Sequence, residues 1–341
     1  MLNRALKIVF LAFVVTAVGV INSPAPFIYT PGEGWIYENP GDDSGWRADR
    51  AEDQLEIANL AMEAGEFSLA YRAAKRLLLE WPLSDFAPDA QYVAGEALMN
   101  SRSYEKAFDE FQTLIDIYPK SERYEDALRK QYEIANKFLN GERTRILWGK
   151  IPWMPSRKKS IEMNTQVIKN GPYSDFAANA QLDIGQAYER KKGFFLSFSE
   201  KYTEAASAYE RAIDRYSNNP QVVADGLFLA GLAYFRQART GEYDQGHADE
   251  AIEKFETFIS QFPQDERVSI ARENIAALLQ EQSRGAYLIG RFYEKNKQFK
   301  AALVYYNDSI LKDPNSEFAD RSREKIAKLQ PKVEELAQSA Q

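Results

Sequence analysis

The chain has 341 residues, 45% hydrophobic and 27% charged, enough apolar material for a large core or a long repeat array. A net charge of −7 excludes the basic footprint of a nucleic-acid binder. With no cysteine and a single histidine, His247, disulfides, thiolate metal sites, a cysteine nucleophile and a lipid-modified cysteine are excluded, and a histidine-based metal site or dyad has almost no material.

Residues 1–21, "MLNRALKIVFLAFVVTAVGVI", set Arg4 and Lys7 before an apolar run from Ile8 to Ile21. As a helix that run is roughly 21 Å long, short of the roughly 30 Å hydrocarbon core. A secretory signal peptide is therefore expected, with Ala17-Val18-Gly19 as the small-x-small cleavage site and a short uncleaved anchor as the alternative. Residues 22–50 hold four prolines and four glycines with no helical period and read as an extended linker. Its "PGEG" has no preceding strand and no following Lys-Ser/Thr, so it is not a phosphate loop. Trp35 and Trp46 are expected to dock onto the first helices, a partner being the alternative.

From residue 51 the chain repeats itself. The stretch "AGEALMNSRSYEKAFDEFQTLIDIYP" carries Gly95, Leu98, Tyr104, Ala107, Phe111, Leu114 and Pro119. The same offsets give Ala58, Ala61, Phe67, Ala70, Ala74, Leu77 and Pro82 in the first repeat, and Gly290, Tyr293, Phe299, Ala302, Tyr306 and Pro314 in the last. Three repeats between them are stretched in the middle. The third has Ala135, Phe138, Asn164, Val167 and Pro172; the fourth Gly185, Tyr188, Tyr202, Ala205, Tyr209 and Ala212; the fifth Gly231, Tyr234, Ala251, Phe255, Phe258 and Pro263.

This pattern describes pairs of antiparallel helices, A and B. Gly or Ala at the eighth and twentieth positions permits close helix approach, aromatics fill the space between, and the proline ends helix B. The pattern resembles tetratricopeptide repeats, which implies an all-α solenoid of about six helix-turn-helix repeats forming a right-handed superhelix with a concave groove. Repeats one to three then occupy residues 51–172, and repeats four to six with a capping helix occupy 173–341. "QDERVSIARENIAALLQEQSRGAYLIGRFYEKN" has helical spacing with no breaker until Gly285 and reads as one long helix joining the fifth repeat to the sixth. The last segment, from Ser316, reads as a polar-faced cap.

Nothing along the repeats carries chemistry. Pairs such as Glu105 with Asp109, or Glu250 with Glu253, have the spacing of solvated helix faces, and an acid/base dyad needs a closed site to split its pKa values. His247 lies in the turn "TGEYDQGHADEA", where helix-start polarity explains it, and Asn307-Asp308-Ser309 is a glycosylation pattern placed inside a helix. No enzyme, cofactor or metal is indicated.

The insertions are better candidates. Residues 140–160, "NGERTRILWGKIPWMPSRKKS", put Trp148, Lys150, Trp153, Arg157, Lys158 and Lys159 into one basic, tryptophan-bearing loop. Trp and Arg are the side chains most often found as binding anchors, and Trp also suits a membrane interface. Packing back onto the solenoid, a partner contact and a membrane contact all remain open for it. "KKGFFLSFSEK" in the fourth repeat reads as intramolecular packing. Groove positions of helix A give Tyr92, Glu96 and Met99; Tyr132, Asn136 and Leu139; and Phe228, Leu232 and Phe235. Such a surface suits an extended apolar or aromatic peptide rather than the carboxylate that a cationic clamp grips in some repeat proteins of this kind.

A finer resemblance lies in "YPKSERYEDAL", "GPYSDFAANAQLDIGQAY" and "DPNSEFADRSREKIAKL", together with the long helix leading into "YLIGRFYEKNKQFKAALVYYNDSILKDPNSEFA". Over roughly residues 51–330 the chain resembles the BamD-like family of outer-membrane assembly lipoproteins. The resemblance implies a non-enzymatic periplasmic scaffold associated with the outer membrane, part of the machine that inserts β-barrel proteins. Repeats one to three would be the substrate end, and repeats five and six the docking end for other assembly proteins, including Arg291, Phe292, Tyr293, Tyr305 and Tyr306. The chain departs from that family in lacking a lipobox cysteine, in reading Tyr305-Tyr306 where an Arg often precedes an apolar residue, and in having six repeats for the usual five. The alternative is an adaptor similar to the Tol–Pal-linked cell-division coordinators, which share "APDAQYVAGEAL…YEKAFDEFQTLIDIYPKS".

Overall fold

The computed structural model describes residues 27–30, 34–37, 46–146, 151–190, 198–239 and 245–338; the apolar run at 8–21 lies outside them. Thirteen helices dominate the described residues. They form six successive pairs. These are α1 (Ala51–Glu63) with α2 (Phe67–Glu80), α3 (Ala87–Asn100) with α4 (Tyr104–Ile117), and α5 (Tyr124–Leu139) with α6 (Arg157–Asn170). Next come α7 (Asp175–Arg190) with α8 (Phe198–Arg215), α9 (Pro220–Ala238) with α10 (Gln245–Gln261), and α11 (Val268–Lys295) with α12 (Phe299–Lys312). Helix α13 (Glu317–Gln338) closes the series. The chain divides into two compact units, residues 1–127 and 128–341, with the boundary inside α5.

The packing rule read from the sequence holds in atomic detail. A Cβ built on Gly95 would lie 2.6 Å from the ring of Phe111, and one on Gly290 would lie 2.8 Å from the ring of Tyr306. Gly185 under Tyr209 and Gly231 under Phe255 repeat the arrangement. Each of these rings is fully buried, so helix A needs glycine there to let the helix B ring lie flat on its backbone. Ala70, Ala107, Ala205, Ala251 and Ala302, the small residues of helix B, are likewise fully buried.

The turns inside the pairs share one device. In the first, second and last repeats helix A ends on a left-handed residue: Gly65 (φ 76°), Arg102 (φ 59°) and Lys297 (φ 58°). The following N–H then reaches back five residues, as from Ser103 to the Leu98 carbonyl at 2.8 Å and from Gln298 to the Tyr293 carbonyl at 2.9 Å, closing a Schellman motif. Between pairs, the residue two after the closing proline accepts a backbone N–H at the entry to the next helix. Ser84 takes that of Phe86, Ser121 that of Arg123, and Asp265 that of Arg267.

Helix α11 runs for 28 residues and continues through Gly285, as one long helix linking repeats five and six. Its first half packs Ala271, Ile275 and Leu278 into the Phe255–Phe258 core. Its second half meets α12, where Ser283 and Ser309 each donate a hydroxyl hydrogen bond to the other's carbonyl, at 2.8 and 2.9 Å. Helix α13 buries Ala319, Ser322 and Leu329 and leaves most of its remaining surface to solvent.

Two β-hairpins interrupt the helical reading. Within the stretch expected to be an extended linker, β1 (Phe27–Thr30) pairs antiparallel with β2 (Gly34–Tyr37). Within the 140–160 insertion, β3 (Arg143–Ile146) pairs with β4 (Ile151–Pro155) across a bulge. Strands of four or five residues are too short to give a clear alternating signal against surrounding Pro and Gly.

Candidate functional site

The groove positions are more occupied than their sequence pattern implies. Four residues after Pro119, Pro172, Pro263 and Pro314 stands an Arg or a Phe, and it covers the fifth-position aromatic of the repeat just completed. Arg123 lies 5.1 Å over the ring of Tyr92 and bonds Asp89 at 2.5 Å. Phe176 packs on Tyr132 with centroids 5.7 Å apart, and Phe318 on Tyr287 at 5.8 Å. Arg267 lies 5.1 Å over Phe228 and 5.4 Å over Phe258 while bonding Asp225 and Asp265. Phe228 is thereby buried, whereas Tyr92, Met99, Tyr132, Leu232 and Phe235 are half-buried. Half-buried rings on a helix face retain an edge that a guest side chain can meet.

The second unit also carries a polar patch. Asp183 on α7 is buried, faces Tyr132 and Asn136 on α5, and has Arg190 nearby. Burial pushes its carboxyl up to about 6, against the pull of Tyr132, Arg190 and Asn136, and its Oδ2 has no hydrogen-bond partner. The same desolvation, with the carboxylate of Asp183 beside it, pushes Tyr132 up to about 12. Nearby, an open cavity of about 560 Å³ at the end of α5 is lined by Asn136, Lys137, Asn140 and Arg143 among others. Sequence reasoning missed Asp183, because a single carboxylate on a helix A face looks like any solvated one.

Tyrosine in place of phenylalanine marks a second polar device. Where the ring over the glycine is Phe111 or Phe255, the residue four after the glycine is Met99 or Phe235. Where the ring is Tyr209 or Tyr306, that residue is Glu189 or Glu294. The Tyr209 hydroxyl donates to Glu189 at 3.3 Å and the Tyr306 hydroxyl to Glu294 at 2.5 Å. Each carboxylate also binds a cation, Arg236 for Glu189 and Lys325 for Glu294. Burial pushes both tyrosines up, reinforced by the carboxylates. Burial also raises Glu189 despite Arg236. At Glu294 burial is outweighed by the bonds from Tyr306 and Lys325, and the carboxyl is lowered.

Of the docking-end residues, Tyr306 therefore serves the α11–α12 contact. Tyr293 and Tyr305 stack at 5.2 Å with their planes 6° apart. Arg291 is exposed, and Phe292 is 62% exposed. Leu288 and Ile289 on α11, and Val304 and Leu311 on α12, are also exposed, which concentrates large apolar side chains on the last pair.

Of the insertion residues, Trp148 and Lys150 lie outside the described residues, and Trp153 lies in β4. Arg157, Lys158 and Lys159 form the first turn of α6. Arg157 donates to the Phe138 carbonyl at the end of α5 at 2.8 Å; Lys158 and Lys159 lie 3.6 and 4.0 Å from Glu162. Trp46 docks in cis: it packs on the core of the first pair between Arg47 and Arg72, and its carbonyl accepts from Gln54 at 3.1 Å. His247 lies in the first turn of α10 with its Nε2 2.9 Å from the Gln237 amide, within a side-chain contact that accounts for its polarity.

The chain is similar to several known proteins. Residues 55–122 match the model of the tetratricopeptide repeat, and residues 158–330 match that of the outer membrane lipoprotein family YfiO. The outer membrane protein assembly factor BamD of Caulobacter vibrioides is 25% identical over 145 residues, which covers 42% of this chain and 45% of that protein. Among solved structures, MamA (residues 41 to the end) of Desulfovibrio magneticus is 16% identical, with a TM-score of 0.33 over 64% of this chain and 98% of its own. A tetratricopeptide-repeat protein of Bacteroides fragilis is 15% identical, with a TM-score of 0.39 over 82% and 99%. The chain is thus a helical-repeat scaffold of the protein-interaction kind. With half its length matched by that model, it belongs to the outer membrane lipoprotein (YfiO) family.

Proposed function

We propose that the chain is a periplasmic scaffold of outer-membrane β-barrel assembly that binds partner proteins and unfolded barrel segments. The observation that carries this reading is the exposed apolar surface of α11 and α12, around Phe292, Val304 and Leu311, inside the stretch matched by the outer membrane lipoprotein family. Apolar side chains gathered on one helix pair of a repeat array mark a protein contact. In this reading repeats five and six are the docking end, with Arg291, Phe292, Tyr293 and Tyr305 at its surface. Repeats one to three, residues 51–172, are the substrate end, with Tyr92 and Met99 as contacts for an extended segment in the first unit and Tyr132 as a separate contact in the second. Phe235 and Leu232 are the apolar contacts of the fifth repeat, within the second unit. The basic insertion with Trp148, Lys150 and Trp153 is a second partner contact. Export by the N-terminal signal would bring the chain to the periplasm, and the absence of cysteine leaves no thiol for lipid attachment.

The test is capture of assembly proteins from detergent-solubilised envelopes by the natural chain and by Phe292→Asp. The expected result is recovery of a barrel-forming assembly protein with the natural chain and its loss with the variant, at unchanged helical content. Absence of any such protein, with normal outer-membrane barrel levels after depletion, refutes the reading. A second reading, an adaptor like the cell-division coordinators, is favoured by one observation: repeats one and two match the general repeat model and lie outside the lipoprotein-family match. Recovery of Tol or peptidoglycan-synthesis proteins instead would establish it.

A further inference from the structure

Two repeats bring a ring, a carboxylate and a cation together, and the chain itself supplies the cation. Arg123 lies over Tyr92 and bonds Asp89, and Arg267 lies over Phe228 and bonds Asp225. At the third repeat the set is incomplete. Tyr132 is the ring, but Phe176 stands at the place of the arginine and packs on it with centroids 5.7 Å apart. The carboxylate beside Tyr132 is that of Asp183, which comes from α7 and not from the helix that carries the ring. Arg190, the cation that pulls on Asp183, donates instead to Asn140 Oδ1 at 3.3 Å and to Gln186 Oε1 at 3.2 Å.

Asp183 is only 8% exposed, and its Oδ2 has no hydrogen-bond partner. With its carboxyl at about 6, the group is still mostly ionised at neutral pH. A buried charge without a counter-charge is costly, so a cationic donor that reaches it is held strongly. Asn136 stands at the way in. It acts on Asp183, it lines the open cavity at the end of α5, and it is itself half-buried. The other charges lining that cavity, Glu133 and Glu142 against Lys137 and Arg143, are matched in number, which leaves Asp183 to set the preferred sign. Tyr132, also half-buried, adds an aromatic surface to which a cation is attracted.

We infer that Asp183, Tyr132 and Asn136 form a pocket for a Lys or Arg side chain of a bound extended segment, whose cation takes the role that Arg123 and Arg267 play in repeats two and five. Asn136 turns aside to admit the side chain, and its ammonium or guanidinium group donates to Asp183 Oδ2 beside the ring of Tyr132. The inference rests on the reading of Tyr132 as a contact for an extended segment, and it adds the charge that the segment carries.

The test measures, by fluorescence anisotropy, binding of the purified chain to short fluorescein-labelled peptides of alternating Phe and Ser. One central position of the peptide is Lys, Arg, norleucine, Gln or Glu, norleucine having the stem of lysine without its charge. The natural chain is expected to bind the Lys and Arg peptides at least roughly tenfold more tightly than the norleucine peptide, as a hydrogen bond to a charged group allows. Asp183→Asn keeps the shape of the side chain and removes its charge. It is expected to abolish that margin while leaving norleucine-peptide affinity and helical circular dichroism unchanged. Equal affinity for all the peptides overturns the inference and leaves the extended-segment reading standing. A margin that survives in Asp183→Asn also overturns it, because another acid then holds the cation. Binding of none of the peptides refutes the extended-segment reading at Tyr132 together with the inference.

Discussion

Alanine at position 290 would place its Cβ 2.8 Å from Cδ1 and Cε1 of Tyr306, closer than such contacts occur. The ring has nowhere to go. It is fully buried, it touches Tyr287 at 5.7 Å between centroids, and its hydroxyl is held by Glu294 at 2.5 Å. Overpacking of this kind costs about 1–3 kcal/mol, and a ring held at both ends belongs toward the upper part of that range. Against it stands the gain of about 1 kcal/mol when alanine replaces glycine inside a helix. Gly290→Ala is therefore expected to destabilise the protein by about 1–2 kcal/mol. In a Tyr306→Leu background the obstructing ring is gone, the helix-propensity gain remains, and the same substitution becomes neutral or stabilising by up to about 1 kcal/mol. Urea unfolding followed by far-ultraviolet circular dichroism reads the four chains of the cycle, and the reversal of sign is the diagnostic. An equal cost in both backgrounds, or a more stable protein from Gly290→Ala alone, refutes the idea that this glycine exists to seat the ring.

Other positions probe separate features of the molecule. Arg102 adopts a left-handed conformation at φ 59°, so Arg102→Gly relieves backbone strain and is expected to raise stability by up to about 1 kcal/mol in the same assay. The buried carboxyl of Asp183 is raised from 3.8 to about 6, so the folded state binds the proton more tightly than the unfolded one. Its favourable contribution is complete below about pH 4 and is lost as pH rises through 6. Asp183→Asn should thus remove a pH-dependent loss on the order of 2–3 kcal/mol and flatten the stability profile between about pH 4 and 7. Arg267→Lys keeps the charge but loses the fork that spans Asp225 and Asp265, along with the planar contact over Phe228 and Phe258. It is expected to cost about 1–2 kcal/mol near neutrality. Because Arg267 holds Asp265 down at about 2, that gap is present above about pH 4 and narrows as pH falls toward 2, which acid titration of the two proteins measures.

What the sequence could convey followed from how many times a constraint was repeated. Glycine under an aromatic ring occurs at Gly95, Gly185, Gly231 and Gly290, and the period exposes it without reference to any one copy. The helix pairs and the long α11 were legible for that reason. The residue four after the closing proline also recurs, as Arg123, Phe176, Arg267 and Phe318, but it alternates between cation and aromatic. The two types look unrelated until both are seen covering a fifth-position ring. A search for matching residue types misses it, while a search for any side chain with a flat, wide face would find it.

Single-copy features leave no such trace. Asp183 has an ordinary sequence environment, and its shifted titration comes from which side chains enclose it. Tyr306 is an aromatic near the end of the chain, and only the distance to Gly290 and Glu294 assigns it to the interior while Phe292 goes to the surface. The hairpins fall in the same class, being too short for periodicity to speak. The physical division of labour is then clear. Repetition specifies the scaffold, whereas the places where repetition fails carry what is particular to this chain: a buried carboxylate beside Tyr132, a basic insertion, and a last helix pair that leaves Phe292, Val304 and Leu311 exposed.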